Sequence, residues 1–79
     1  MRISQLANEA GVTTDLLRYL ERKGFVEPQM LKLEKRLVRD YSEEQIILVK
    51  TIAKHIQAGF KHDVAYQKAL EEISQPRLI

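Results

Sequence analysis

The sequence predicts a mainly α fold, a winged helix-turn-helix with a short two-stranded antiparallel wing. Two short amphipathic patterns at helical spacing flank Gly11, and a basic segment with strand-like alternation follows them. Two further apolar patterns at helical spacing occupy the second half of the chain. A glycine between two amphipathic helices indicates a sharp turn, and the alternating segment indicates a hairpin.

Composition limits the chain to one small soluble domain. Its 79 residues are 44% hydrophobic and 30% charged, which is typical of a globular protein and excludes a disordered one. No apolar run approaches the ~20 residues that span a bilayer, no signal peptide opens the chain, and cysteine is absent. We therefore expect a cytoplasmic protein in which residues 1–75 form a single domain, followed by a frayed tail or the start of a linker at 76–79.

The first helix and its turn are indicated by residues 3–11. Apolar residues recur at i, i+3, i+4 and i+7, namely Ile3, Leu6, Ala7 and Ala10. This spacing predicts a helix over residues 4–10, with Ser4 placed to cap the first turn. Gly11 follows, and glycine takes the positive φ of a sharp reversal without steric cost.

The second helix lies within residues 11–24. Thr13 or Thr14 is placed to cap it, and Asp15 in the first turn favours the positive end of the helix dipole. Its inward face is apolar and consists of Leu16, Leu17 and Leu20. The outer face or its border holds Thr14, Asp15, Arg18, Tyr19 and Arg22. A cation and a glycine at residues 23–24 then end the helix.

The segment after the second helix predicts a hairpin that forms the wing. Residues 25–27 are too short for a helix and are closed by Pro28, so we interpret them as a brief edge strand. Residues 37–41 alternate and are the predicted partner strand, which makes 29–36 the tip. Because the tip has no Asn-Gly or glycine-rich turn, a helical turn over 30–35 is the alternative.

Two longer helices follow the wing. Ser42 and Gln45 form a capping-box pattern at the start of the first one, with two acidic residues in its first turn. Its apolar stripe is predicted to face the core and consists of Ile46, Val49, Ile52, Ala53, Ile56 and Phe60. Gly59 ends or loosens this helix, Asp63 starts the last one, and Pro76 stops it. The apolar set of the last helix is Val64, Ala65, Ala69, Leu70 and Ile73.

The positive charge of the chain is concentrated in the predicted wing. The net charge is only +2, but residues 32–39 hold four basic residues and one acidic residue. A basic cluster alone is typical of a solvated surface, whereas a cluster after a helix-turn-helix pattern favours nucleic-acid binding. Phosphate or minor-groove contacts are therefore predicted for Lys32, Lys35, Arg36 and Arg39.

The second helix is predicted to enter the major groove of double-stranded DNA. Side chains near the N-terminus of such a helix reach base edges. On this chain they are Thr13, Thr14 and Asp15, with Arg18 one turn further on. Threonine meets a thymine methyl or an acceptor, aspartate accepts from cytosine N4, and Arg18 binds guanine or, by default, a phosphate.

Structural roles compete with some of these functional ones. Tyr19 can simply cover the edge of its helix, and Arg22 and Lys23 can be solvated rather than engaged. Tyr41 is interpreted as a core residue rather than as a DNA contact.

No metal site, cofactor or enzymatic activity is predicted. His55 and His62 lie seven residues apart with Gly59 between them, and no cysteine or third ligand converges on them. No Ser/His/Asp set, glycine-rich phosphate loop or isolated acidic pair is present in a usable form.

Several short motifs of this sequence occur together in a known protein family. They are Ile-x-x-Leu-Ala, Gly11-Val12-Thr13, Leu17-Arg18-Tyr19-Leu20-Glu21, Lys23-Gly24-Phe25, Pro28, Arg39-x-Tyr41-Ser42-Glu43-Glu44 and Gly59-Phe60. In this order and spacing they resemble the DNA-binding domain of the MerR family of bacterial transcription regulators, from about Arg2 to about Phe60. The resemblance implies a winged helix-turn-helix that binds double-stranded DNA.

The resemblance also implies roles for matching residues. Arg18 and Tyr19 correspond to an arginine and aromatic pair that contacts the DNA backbone and groove. Arg39 corresponds to a wing arginine that contacts phosphate. The chain departs from the family pattern at Leu20, Leu37, Val38 and His62.

The resemblance to this family also bears on the assembly and the partners of the protein. Members of the family continue into a dimerisation helix and an effector domain, so the chain resembles a DNA-reading head. It is either part of a longer regulator or a short protein like the excisionase-like factors that bend DNA. Without a sustained heptad repeat the chain as given is predicted to be a monomer, with a homodimer formed through a segment outside it. RNA polymerase at the promoter is a further implied partner.

A different class of function remains as the alternative. The basic helix and wing can form a protein-interaction module that binds an acidic partner, such as an antirepressor that imitates DNA. One cationic surface can serve both roles, so binding to duplex DNA at low salt is the discriminating measurement.

Overall fold

The computed structural model describes residues 1–74, which form four helices and one two-stranded antiparallel hairpin. In chain order the elements are α1 (Ile3–Ala10), α2 (Thr14–Arg22), β1 (Gln29–Leu33), β2 (Arg36–Asp40), α3 (Glu43–Gln57) and α4 (His62–Ser74). This architecture confirms the predicted mainly α class and the two-stranded wing. The predicted stop at Pro76 and the frayed tail at 76–79 lie outside the described residues. No helix within residues 1–74 is long and apolar enough to cross a membrane.

Helix α1 begins earlier than its sequence signal indicated. Arg2 is its N-cap and makes no side-chain capping bond, so the predicted cap at Ser4 is wrong and Ser4 lies within the first turn. A tertiary contact sets the start of α1. The Tyr41 N–H donates to the Met1 carbonyl at 2.8 Å, and the chain stays extended up to Arg2. Gly11 ends α1 with φ 71°, the left-handed conformation that the sharp turn needs.

Helix α2 follows the prediction closely. Thr13 is the N-cap, and its Oγ1 accepts a hydrogen bond from the Leu16 N–H at 3.1 Å. Leu17 and Leu20 are buried on the inner side, and Leu16 is half-buried. The chain leaves the helix through Gly24, whose φ of 77° is also left-handed. The apolar stripe therefore anchors α2 in the core while the other side of the helix stays in solvent.

The wing hairpin has a tighter turn than the sequence indicated. β1 and β2 pair along their whole length, and only Glu34 and Lys35 form the turn. Glu34 takes φ 53°, a left-handed conformation that costs a residue other than glycine about 1–2 kcal/mol. Because these residues pair as strands, the alternative helical turn over 30–35 is wrong.

The predicted edge strand over residues 25–27 is also wrong. Val26 is buried in the core. The Glu27 N–H donates to Oε1 of Gln45 on α3 at 2.8 Å and does not join a ladder. Core packing and this bond hold the segment against the helices, so the first strand of the wing is β1.

Helix α3 has the predicted cap but a different capping partner. Ser42 Oγ accepts from the Gln45 N–H at 3.4 Å, whereas the Gln45 side chain bonds to Glu27. Only half of the predicted capping box is therefore formed. The helix ends before Gly59, whose φ is 103°. Phe60 beyond it is 40% exposed, so its predicted place in the core stripe is wrong.

Helix α4 starts at His62, one residue before the predicted start at Asp63. Ala65 and Ala69 are its buried residues, and they lie against α3. The larger apolar residues that the sequence assigned to the same face are exposed, namely Val64, Leu70 and Ile73. Because the alanine side chains are small, α3 and α4 can lie close together at this contact. The larger apolar side chains then lie at the edges of the contact.

The core lies where the four helices meet the segment between α2 and β1 and the end of the wing. Its fully buried large side chains are Leu6, Leu17, Leu20, Val26, Tyr41, Val49 and Ile52. Ile46 and Ile56 of the predicted α3 stripe are half-buried. Leu48, which that stripe omitted, is buried. Two aromatic rings extend the core, since Phe25 stacks on Tyr66 with centroids 4.3 Å apart.

Tyr41 is confirmed as a core residue. The surroundings of its hydroxyl indicate that removing this group stabilises the fold. The hydroxyl is buried and has no hydrogen-bond partner among the described residues. Because an unpaired buried polar group destabilises the fold by about 1–3 kcal/mol, we expect Tyr41→Phe to raise the free energy of unfolding by about 1 kcal/mol. Chemical denaturation of both proteins measures this difference. A decrease would show that the hydroxyl is paired in solution.

One carboxylate ties α4 to α3. Glu72 Oε1 accepts from Lys54 Nζ at 2.6 Å, and Glu72 Oε2 lies 2.9 Å from His55 Nε2. The hydrogen bond from Lys54 and then that from His55 lower the pKa of Glu72 below its usual 4.5. The folded protein therefore favours the ionised form of this carboxyl group.

The lowered pKa of Glu72 predicts a pH-dependent contribution to stability. This contribution is present above about pH 4.5 and is lost as the pH falls through the lower folded value, because protonation removes the favoured charge. We expect Glu72→Gln to lower the melting temperature at about pH 7 and to lower it less at about pH 3. Thermal unfolding at both pH values checks this. An equal loss at both would mean that the carboxylate charge is not involved.

Candidate nucleic-acid interface

The outer side of α2 presents a small polar cluster at its N-terminal turn. Arg18 Nη1 lies 3.4 Å from Thr14 Oγ1 and 3.4 Å from Asp15 Oδ1. The side chains of Arg18 and Asp15 are 49% and 93% exposed. Contacts this long and this exposed contribute little to folding stability. The Arg18 guanidinium therefore lies over the first turn of α2 and can exchange these partners for an external acceptor.

Thr13 has a structural task at the same turn. Its hydroxyl oxygen caps α2 by accepting from the Leu16 N–H. The cap does not use the hydroxyl proton, so this exposed group can still donate. Base contacts by Thr13, Thr14 and Asp15 stay predictions.

Tyr19 lies half-buried at the edge of α2 and packs against the core. Its ring centroid is 5.1 Å from that of His62 on α4. The Arg22 and Lys23 cations lie 6.0 Å and 5.8 Å from the same ring centroid. Tyr19 thus covers the edge of its helix, which is one of its two interpretations, and a DNA contact by Tyr19 stays a prediction.

The wing carries exposed cations and exposed apolar side chains together. Lys32, Lys35 and Arg36 are exposed and form no ion pair with another residue in 1–74. Four large apolar side chains of the wing are also exposed, namely Met30, Leu31, Leu33 and Leu37. A two-stranded hairpin has no second layer to cover them. The wing is therefore a basic and partly apolar surface.

Arg39, at the base of the wing, is held by α2. Its Nε donates to Glu21 Oε2 at 2.6 Å, and the two side chains are 32% and 27% exposed. The family resemblance assigns Arg39 to a phosphate but gives Glu21 no role, because a pair that is 18 residues apart leaves no local pattern in the sequence. This bond connects the wing to the helix that carries Arg18.

Arg18 and Arg39 share one neighbourhood although they lie on different elements. Burial raises the pKa of Tyr41, Glu21 raises it further, and the charges of Arg39 and Arg18 lower it. Glu21, which accepts from Arg39 Nε at 2.6 Å, lies on α2 three residues after Arg18, and residues three apart are neighbours on a helix surface. The base of the wing and the outer side of α2 are thus adjacent, as a joint binding surface requires.

A groove of about 310 Å³ separates the start of α1 from β2. It is lined by Arg2, Ile3, Ser4, Leu37, Val38 and Arg39. Arg2, which sequence analysis did not single out, is exposed and adds a second cation beside Arg39. The positive surface therefore continues from the wing towards the start of α1.

The two histidines have separate surroundings. His55 Nε2 lies beside Glu72, and the His62 ring packs on Tyr19. Within residues 1–74, no three side chains of His, Asp or Glu come together in a way that could hold a metal ion.

Comparison with known proteins gives a family match over most of the chain. A family model described as MerR HTH family regulatory protein matches residues 1–71. The match includes α1, α2, both strands, α3 and most of α4. None of the curated proteins matches the chain.

Proposed function

Since the chain belongs to the MerR HTH family of regulatory proteins, we propose that α2 reads the major groove of an operator while the wing contacts the DNA backbone. The family regulates transcription by binding DNA and is not enzymatic. Membership confirms the predicted DNA-binding regulator and the prediction that the chain is not an enzyme.

The exposed polar turn of α2 beside the basic wing is the observation that supports this binding mode. An α-helix fits the major groove, and side chains near its N-terminus reach base edges. Thr14 and Asp15 lie in that turn, and Arg18 lies over it with only long contacts to both. These three residues are the proposed groove contacts, with Thr13 and Tyr19 at the border.

Four wing cations are the proposed backbone contacts. Lys32, Lys35 and Arg36 are exposed, so their ammonium and guanidinium groups are available to phosphates. Arg39 lies at the base of the wing, where Glu21 holds it. Contacts of this kind fix the position of a protein on DNA and do not depend on sequence.

The proposal includes an assembly on DNA. A single head of this kind covers one half-site, and a two-fold operator is read by two heads. We propose a monomer for these 79 residues alone and a homodimer joined through a segment outside them. RNA polymerase at the promoter and a cytoplasmic location belong to the same proposal.

Titration of labelled random and candidate operator duplexes tests the proposed function. The four wing cations are the proposed phosphate contacts, and four such contacts predict a salt slope of about −3.6. Fluorescence anisotropy should then show an affinity that falls roughly 150-fold between about 50 mM and about 200 mM salt. Undetectable binding at about 50 mM salt would instead favour the alternative, a module that binds an acidic protein.

The first substitution concerns Arg18. We expect Arg18→Ala to weaken DNA binding by about 1 to 3 kcal/mol, because it removes the long cation centred on the outer side of α2. The melting temperature should hardly change, since Arg18 makes only long and exposed contacts. Lys50→Ala is the matched control, because it removes the same charge from a residue that already pairs with Glu9. Equal effects of the two substitutions on affinity would remove Arg18 from the interface.

The second substitution tests the wing. Replacing Lys32, Lys35 and Arg36 together by Gln should weaken binding to all DNA sequences alike. The salt slope should become shallower by about 0.9 for each phosphate that the wing no longer neutralises. Anisotropy titrations on two unrelated duplexes over a range of salt concentrations measure both quantities. A slope equal to that of the unmodified protein would show that these cations are only solvated.

A further inference from the structure

The bond between Arg39 and Glu21 leaves part of the arginine available. The bond uses Nε of Arg39 and one carboxylate oxygen of Glu21, at 2.6 Å. The two terminal amino groups of Arg39 make no hydrogen bond to residues 1–74. A guanidinium presents its donors in a rigid planar fork, so fixing Nε also fixes the direction of the terminal groups. Glu21 therefore orients the end of Arg39 that remains free.

Besides this bond, the charged contact from the Met1 amine to Asp40 at 2.8 Å holds the end of the wing, and the strands themselves contribute little burial. Every residue of β1 is exposed, and the β1 ladder is formed with β2. The side chains of Arg39 and Glu21 are only 32% and 27% exposed, so solvent screens their attraction less than that of a surface pair. The pair joins the base of β2 to the last turn of α2, so it links the position of the wing to that helix.

Charge and geometry make opposite predictions for Glu21. By charge alone, an acidic residue beside a DNA-facing surface repels phosphate, and removing it should tighten binding. By geometry, the same residue holds an arginine ready for phosphate, so its removal leaves Arg39 to search many rotamers and weakens binding. The two effects therefore differ in sign.

We propose that Glu21 is a positioning residue for DNA binding, which holds Arg39 through Nε so that the terminal amino groups meet a backbone phosphate. The inference rests on the proposed function, because it requires that the wing lies on DNA. In this role Glu21 contacts Arg39 rather than DNA, and it couples the placement of the wing to the placement of α2.

Two substitutions of Glu21 separate charge from geometry. Glu21→Ala and Glu21→Gln remove the same charge, but only glutamine keeps an oxygen that can accept from Arg39 Nε. We expect Glu21→Ala to weaken DNA binding roughly tenfold, as expected when one charged hydrogen bond to phosphate does not form, although it makes the protein more positive. The salt slope should become shallower by about 0.9, the value for one phosphate. Glu21→Gln should bind nearly as tightly as the unmodified protein.

Two further variants test whether Glu21 acts through Arg39 and whether loss of an acidic charge alone changes the affinity. In an Arg39→Ala background, Glu21→Ala should cause no further decrease in affinity, because its only proposed effect acts through Arg39. Glu34→Gln at the wing turn removes an acidic charge without touching Arg39, and it should leave affinity equal or higher. Thermal unfolding of each variant shows that it is folded under the conditions of the titration.

The possible failures are distinct. If Glu21→Ala binds as tightly as Glu34→Gln, or if it still weakens binding in the Arg39→Ala background, the positioning role is wrong while DNA binding stands. If the unmodified chain does not bind duplex DNA at about 50 mM salt, the proposed function fails and the role of Glu21 fails with it.

Discussion

The left-handed turn at Gly11 is the constraint on which the DNA-facing surface depends. Its φ of 71° reverses the chain between α1 and α2. The side-chain amide of Gln57 on α3 donates to the carbonyl oxygens of Ala10 and Gly11, each at 3.3 Å. A side-chain carbon added at Gly11 would lie 3.1 Å from that amide nitrogen. Gln57 of α3 therefore stabilises a turn that favours glycine, and its two hydrogen bonds fix the direction in which α2 leaves the turn.

The wing has a different kind of support. Its strands bond to each other and most of their side chains are exposed, so little hydrophobic burial holds the hairpin to the helices. Charged links at the end of β2 contribute instead, from Arg39 to Glu21 at 2.6 Å and from Asp40 to the Met1 amine at 2.8 Å. Tyr41, the next residue along the chain, is buried in the core. Packing thus orients α2, whereas electrostatics has a larger part in orienting the wing.

The type of function could be predicted from the sequence because its signals are short. The turn at Gly11, the cap at Thr13 and the basic segment over 32–39 each lie within a few residues, and the family match over residues 1–71 agrees with them. The individual DNA contacts stay predictions, since the side chains that reach bases are decided in the complex. The bond of Glu21 to Arg39 could not be predicted, because the two residues are 18 positions apart on different elements.

The sequence by itself determined the helices, the Gly11 turn, a cap for α2 at Thr13 or Thr14, the cap at Ser42 and the family. Periodicity and capping act over a few neighbouring residues, so a sequence records them directly. Only the tertiary structure decided where the wing begins, because burial of Val26 holds residues 25–27 out of the hairpin. It also decided that Phe60 is exposed and that Arg39 bonds to α2. These outcomes depend on contacts between segments distant in the chain, which leave no periodic or capping signal.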